Sequence, residues 1–94
     1  MKEIKINTAE KELYYQGEVI VRYKIEYPEI IDTNNELEKK QFNHESRKAA
    51  LELKEYAEGE LYEQARRMYE YSKKNGNSII ICELVKECEI TQSK

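Results

Sequence analysis

The chain has 94 residues, 39% hydrophobic and 37% charged, with 16 basic against 19 acidic side chains and a net charge of −3. That length makes one domain, 1–94, able to bury about two-thirds of its unfolded surface in a single core. The charges are interleaved rather than blocked, which excludes a nucleic-acid footprint and an acidic tail, and the longest apolar run, 79–82, is far too short to span a bilayer.

Met1-Lys2-Glu3-Ile4 lacks the apolar stretch of a signal peptide. Two explanations fit: a cytoplasmic protein, if the chain is complete as given, or a mature segment without its leader.

In chain order, residues 3–15 read as a strand. Ile4 and Ile6 alternate with Lys5, and Leu13-Tyr14-Tyr15 resumes the apolar signal after a stretch, 8–12, that can bulge or loop. Gln16-Gly17-Glu18 supplies a glycine where a tight turn needs positive φ. Residues 18–27 follow as the clearest strand: odd positions from Val19 to Tyr27 are apolar or aromatic and even ones mostly charged, the period-2 pattern of a half-buried strand. Pro28 is expected to end it, because proline cannot donate to a ladder.

Helix signals begin at Asp32-Thr33-Asn34-Asn35-Glu36, which offers several N-cap candidates, among them Thr33 with Glu36 at capping-box spacing. Ala50, Leu53, Ala57, Leu61, Ala65, Met68 and Ser72 then step by three or four, the stripe of an amphipathic helix over about 35–75. Lys73-Lys74-Asn75-Gly76 closes it, with cations in the last turn and glycine beyond. Forty residues would run about 60 Å at 1.5 Å per residue. A compact domain of this size has a radius of gyration of only about 12 Å. A break near residue 43 is the leading expectation, with Asn43-His44-Glu45-Ser46 as a second cap and Gly59 as a bend; an overhang that finds a partner is the alternative. A final strand over 79–91 is apolar on both faces at its start, with Ile80, Cys82, Leu84, Cys88 and Ile90 on one side and Ile79, Ile81 and Val85 on the other. The fold class is α+β: a β-hairpin, one long helix and a final long strand, in a small, mostly antiparallel sheet packed on the helix.

No catalytic machinery is legible. The only histidine is His44, which reads as a solvated helix residue, and no nucleophile has a base beside it. One histidine and two distant cysteines fall short of a metal site, and no glycine-rich phosphate loop is present, so no metal and no cofactor are expected. Cys82 and Cys88 are six residues apart, about 20 Å along an extended strand, beyond the roughly 7 Å that a bridge allows. Two buried free thiols are the leading reading, over an intermolecular bridge or a metal-ligand pair. Carboxylates crowd the helix, but chance proximity there carries no weight for acid–base chemistry.

Eight tyrosines, with one Phe and no Trp, are the compositional oddity. Tyrosine suits recognition because it joins rigid apolar area to a polar tip. Most tyrosines here fit a role at the border of the core, Tyr23 and Tyr27 on the strand's core face and Tyr56, Tyr62, Tyr69 and Tyr71 flanking the helix stripe. Tyr14, Tyr15, Tyr62 and Tyr69 are the candidate binding residues.

The order of these features resembles a known family. A charged strand ending in Tyr27-Pro28-Glu29-Ile30, Asn34-Asn35 opening a long helix, then Tyr71-Ser72-Lys73-Lys74-Asn75-Gly76 and a strand ending Cys88-Glu89-Ile90-Thr91 look like the PdaC/RsiV-like N-terminal domain. That domain of unknown function occurs outside the membrane in some Gram-positive peptidoglycan deacetylases and anti-sigma factors. It usually precedes a second domain with a Gly-rich His-Gly turn, which these 94 residues lack, as they lack an anchor; a truncated segment and a stand-alone relative both fit. The resemblance implies an extracytoplasmic, non-enzymatic module that binds or senses a cell-wall component, a protein partner or a second domain of its own chain, and it transfers no catalytic residue. The alternative is a structural domain that forms a homodimer through its helix and an exposed strand edge. An enzyme built on helix carboxylates is the third and weakest reading.

Overall fold

The computed structural model describes residues 2–88. Strand β1, Glu3–Tyr15, pairs antiparallel with β2, Glu18–Asp32. The two-residue turn between them has Gln16 at φ 50° and Gly17 at φ 81°. Positive φ at both central positions gives the backbone twist that matches a hairpin, and glycine takes the more demanding position without strain.

The pairing shifts twice. Leu13 opposes Val21 and Tyr14 opposes Val19, which leaves Ile20 as an extra residue in β2. Such a bulge breaks the alternation of faces. Ile20 and Val21, adjacent in sequence, are therefore both fully buried, whereas strict period 2 would send Ile20 to solvent. A second shift between Glu3 and Ile4 leaves Ile31 over at the other end.

Pro28 does not end β2, contrary to the sequence expectation; the strand runs on to Asp32. The carbonyls of Glu26 and Pro28 and both backbone groups of Ile30 point to the side of β2 away from β1. Pro28, in phase with them, lacks its N–H on that edge and not in the β1 ladder, a position where proline is tolerated. The strand that Pro28 does stop is its other neighbour. Cys88 N–H donates to Glu26 O at 2.7 Å, and the next bond of a parallel ladder would need an N–H from residue 28.

The helical region is continuous from Glu36 to Asn75: α1, Glu36–Tyr56, a π turn, Ala57–Leu61, and α2, Tyr62–Asn75. The break expected near residue 43 is absent. Asn43 and Ser46 face inward instead. Asn43 Oδ1 accepts from Ile30 N–H at 2.8 Å, its Nδ2 donates to Ile30 O at 3.0 Å, and Ser46 Oγ donates to Pro28 O at 2.5 Å. These polar groups continue the edge pairing of β2 where the next strand stops. The cap is Asn35 rather than the Thr33–Glu36 pair: its side chain accepts from Glu38 N–H at 3.1 Å, while Thr33 Oγ1 accepts from Asn35 N–H at 3.3 Å. At the far end Gly76 has φ 69°, Gly76 N–H reaches Lys73 O and Asn77 N–H reaches Ser72 O, the Schellman arrangement.

Strand β3, Cys82–Glu87, is shorter than the expected 79–91: residues 79–81 are not strand, and 89–91 lie outside the described residues. It pairs parallel to β2, giving the order β1-β2-β3 and a mixed sheet. Parallel pairing follows from the helix, which carries the chain back along the full length of β2, so the next strand starts where β2 started.

Two apolar clusters fill the layer between sheet and helix. Ile20, Val21, Ala65 and Tyr69 form one; Tyr23, Ile25, Ala50 and Ala57 form the other. The molecule is a rod of 59 × 17 × 17 Å with a radius of gyration of 17.5 Å. No break is needed, because the molecule is elongated and the hairpin is long enough to underlie the whole helix.

Candidate functional site

The end of the rod that holds the hairpin turn and the last turns of α2 gathers most of the tyrosines. On α2, Tyr62, Arg66, Tyr69 and Lys73 fall at spacings of four, three and four, which puts them on one flank. Tyr15 from β1 meets that flank, its ring edge-on to Tyr69 with centroids 5.2 Å apart and planes at 87°. The Arg66 guanidinium lies 6.0 Å from the Tyr15 ring centre, and Lys73 Nζ lies 5.6 Å from that of Tyr69. Tyr15 donates its hydroxyl to Glu70 Oε1 at 2.6 Å. That hydrogen bond, helped by burial, holds the Tyr15 phenol above its ordinary pKa. Tyr62 donates to the backbone carbonyl of Tyr14 at 3.0 Å and pins the hairpin tip to the helix.

The four residues named from sequence therefore meet in one place but in different roles. Tyr69 is 3% exposed and belongs to the core, Tyr15 and Tyr62 are half-buried, and Tyr14 is 57% exposed. Arg66, Lys73 and Glu70 complete the cluster; the spacing of cation and aromatic along α2 marks Arg66 and Lys73, whereas Glu70 enters only through its bond from Tyr15.

The opposite flank of α2 carries an open groove of about 750 Å³, lined by Arg67, Met68, Tyr71, Ser72, Ser78 and Ile80 among others. Tyr71 is 66% exposed and Ile80 60%. The groove exists because Gly76 turns the chain back at the helix end, so that 77–80 runs beside α2. Cys82 Sγ lies 4.0 Å from Met68 Sδ at its inner side.

Elsewhere the polar side chains are paired for structure. Tyr23 donates to Glu58 Oε2 at 2.7 Å, and burial, with that bond, pushes the phenol up to about 12. Glu29 accepts from Asn7 Nδ2 at 2.7 Å, which, with Lys5, Arg47 and Lys39 nearby, holds its carboxyl below the usual range. Both thiols are free and half-buried, and burial raises that of Cys88. His44 is exposed. Among the described residues no three or more of His, Cys, Asp and Glu are grouped to hold a metal ion, and no helix is long and apolar enough to cross a membrane. No protein-family profile, curated protein or solved structure matches this chain.

Proposed function

We propose that the chain is a non-enzymatic binding module of the Gram-positive cell envelope, which holds a cell-wall component or a protein partner at the end of the rod beside the hairpin turn. The observation that carries this reading is the open groove with Tyr71 and Ile80 largely exposed along it. Large apolar groups presented together to solvent, with Arg67 at the rim, are the usual composition of a recognition surface. The extracytoplasmic setting comes from the resemblance to the PdaC/RsiV-like N-terminal domain.

The test is retention at a cell surface. Secreted from Gram-positive cells as a reporter fusion, the chain should stay with the wall fraction, and Tyr71→Ser with Ile80→Ser should release most of it to the medium. Muramidase or protease treatment then tells a wall polymer from a protein. Equal release of parent and double variant would overturn the reading.

A second reading, assembly through a strand edge, is favoured by one observation: among the described residues, β3 has a strand on one side only.

A further inference from the structure

We propose that β3 pairs antiparallel with β3 of a second copy, Leu84 of one copy lying opposite Leu84 of the other, so that two three-stranded sheets join into one. The proposal rests on the assembly reading and is independent of the groove at the hairpin end.

The backbone fixes which groups are available. Cys88 N–H points to β2, where it meets Glu26 O. Backbone groups alternate sides along a strand, so Cys82, Leu84 and Lys86 also address β2, while the N–H and C=O groups of Glu83, Val85 and Glu87 point to the open side. Among the described residues no strand pairs with these three on that side, which leaves a row of donors and acceptors, the template to which a further strand adds.

Charge then selects the partner and the register. Pairing about Glu83, Lys86 or Glu87 places that charged residue against itself, and pairing about Val85 sets Glu83 against Glu87 twice. Like charges directly opposite destabilise a sheet. Pairing about Leu84 sets Glu83 against Val85 and Cys82 against Lys86, with no like-charge pair. It also brings Leu84, half-buried on the helix side beside Tyr23 and Ile25, against its own copy, and Glu87 against Ile81, which is 36% exposed. A second copy of this strand is thus complementary to itself in one register.

Two substitutions read this directly. The Val85 N–H points to the open side, so Val85→Pro removes an intermolecular donor without touching the β2–β3 ladder. Light scattering from about 1 to 100 µM should give twice the chain mass for the parent and the chain mass for Val85→Pro, with unchanged circular dichroism. In a Cys82→Ser, Cys88→Ser background, Leu84→Cys should cross-link through a non-hydrogen-bonded pair whose Cα atoms lie about 4.5 Å apart, within disulfide range. Diamide serves as oxidant: it takes two electrons and two protons from two thiols and is reduced to the hydrazine. Leu84→Cys should cross-link at least tenfold faster than Val85→Cys. A monomeric parent would overturn both the assembly reading and the proposal. A dimer that survives Val85→Pro would leave assembly standing and overturn β3 as its interface, and faster cross-linking of Val85→Cys would overturn the register.

Discussion

Removing the Asn43 side chain is the sharpest test of how this rod is held together. Asn43 is 6% exposed and satisfies both backbone groups of Ile30, itself fully buried, at 2.8 and 3.0 Å. In Asn43→Ala the N–H and the C=O of Ile30 both lose their partner in a dry site. Each buried, unsatisfied group costs about 1–3 kcal/mol, so the pair costs about 2–6 kcal/mol out of a total stability of about 5–14 kcal/mol for a chain of this size. At about 4–8 °C per kcal/mol, the melting temperature should fall by roughly 10–50 °C. Asn43→Asp separates the two bonds. Its carboxylate still accepts from Ile30 N–H but faces Ile30 O with a negative charge. Burial beside a carbonyl raises the folded-state pKa of that carboxyl above about 3.9. Its contribution is therefore present at low pH, where the acid donates to Ile30 O, and is lost as pH rises through the raised value. Thermal melts by circular dichroism between pH 3 and 8 should show Asn43→Asp closest to the parent at the acid end. A loss under about 3 °C for Asn43→Ala, or a pH-independent deficit for Asn43→Asp, would refute the idea that this side chain completes the edge of β2.

Tyr23, pushed up to about 12, contributes stability that is fully present below its ordinary value of about 10 and is lost as pH rises from there to about 12. Tyr23→Phe should cost about 1 kcal/mol at neutral pH, and its deficit in urea melts should shrink above pH 10; a constant deficit to pH 12 would count against the Tyr23–Glu58 bond. Glu29 works in the other direction: its lowered pKa gives stability that is present above the ordinary carboxylate value and lost as pH falls through the depressed one. Asn7→Ala should therefore destabilise most at neutral pH and converge on the parent in melts taken down to pH 2. Gly59, exposed within the π turn and with open space around its Cα, should accept alanine with a gain of about 1 kcal/mol in chemical denaturation. Deleting Gly59 should instead remove the extra residue of the π turn and leave a plain α-helix with α2 facing the same way, so the melt should stay cooperative; loss of cooperative unfolding would refute the one-residue account of that turn.

The parts of the fold legible in the sequence are those that depend on local rules. Strand β1, the start of β2, the stripe on the helix and its glycine stop all follow from periodicity and from residues with fixed backbone preferences. What was illegible depends on which edge or face a residue meets. Pro28 reads as a terminator because a sequence does not say on which side of a strand a missing N–H falls. Asn43 and Ser46 read as a cap because their alternative partners, the carbonyls of Pro28 and Ile30 and the N–H of Ile30, lie 13 to 18 residues away. The pairing of β3 reaches Glu26 O through Cys88 N–H and meets the same proline there, which could not be read from its own segment alone. The tyrosine cluster was visible in composition, but Tyr69 as a core residue under Tyr15 was not, since a helix stripe gives the centre of a face and not its width.

The π turn and the rod shape have one cause. The inward positions run 42, 46, 50, 53, 57, 61, 65 and 69, and a straight α-helix makes about 7.5 turns over those 27 residues. Phe42 and Tyr69 would then face roughly opposite ways, yet both are buried, with Asn43 and Ser46 beside Phe42 bonded to β2 and Tyr69 packed on Ile20 and Val21 of the same strand. Twist in the long hairpin follows part of this drift. The rest is absorbed between Ala57 and Leu61, where the wider π turn takes in an extra residue and turns the following helix back by about 100°. Without it, α2 would roll Tyr62, Ala65, Tyr69 and Ser72 off the sheet, taking with them the contacts of Tyr15 and the pin on Tyr14. The groove beside Tyr71 would lose its wall in the same movement. The geometry of the hairpin end therefore depends on a distortion midway along the helix, and a change at residues 57–61 should be felt first in the shape of the groove beside Tyr71 and Ile80.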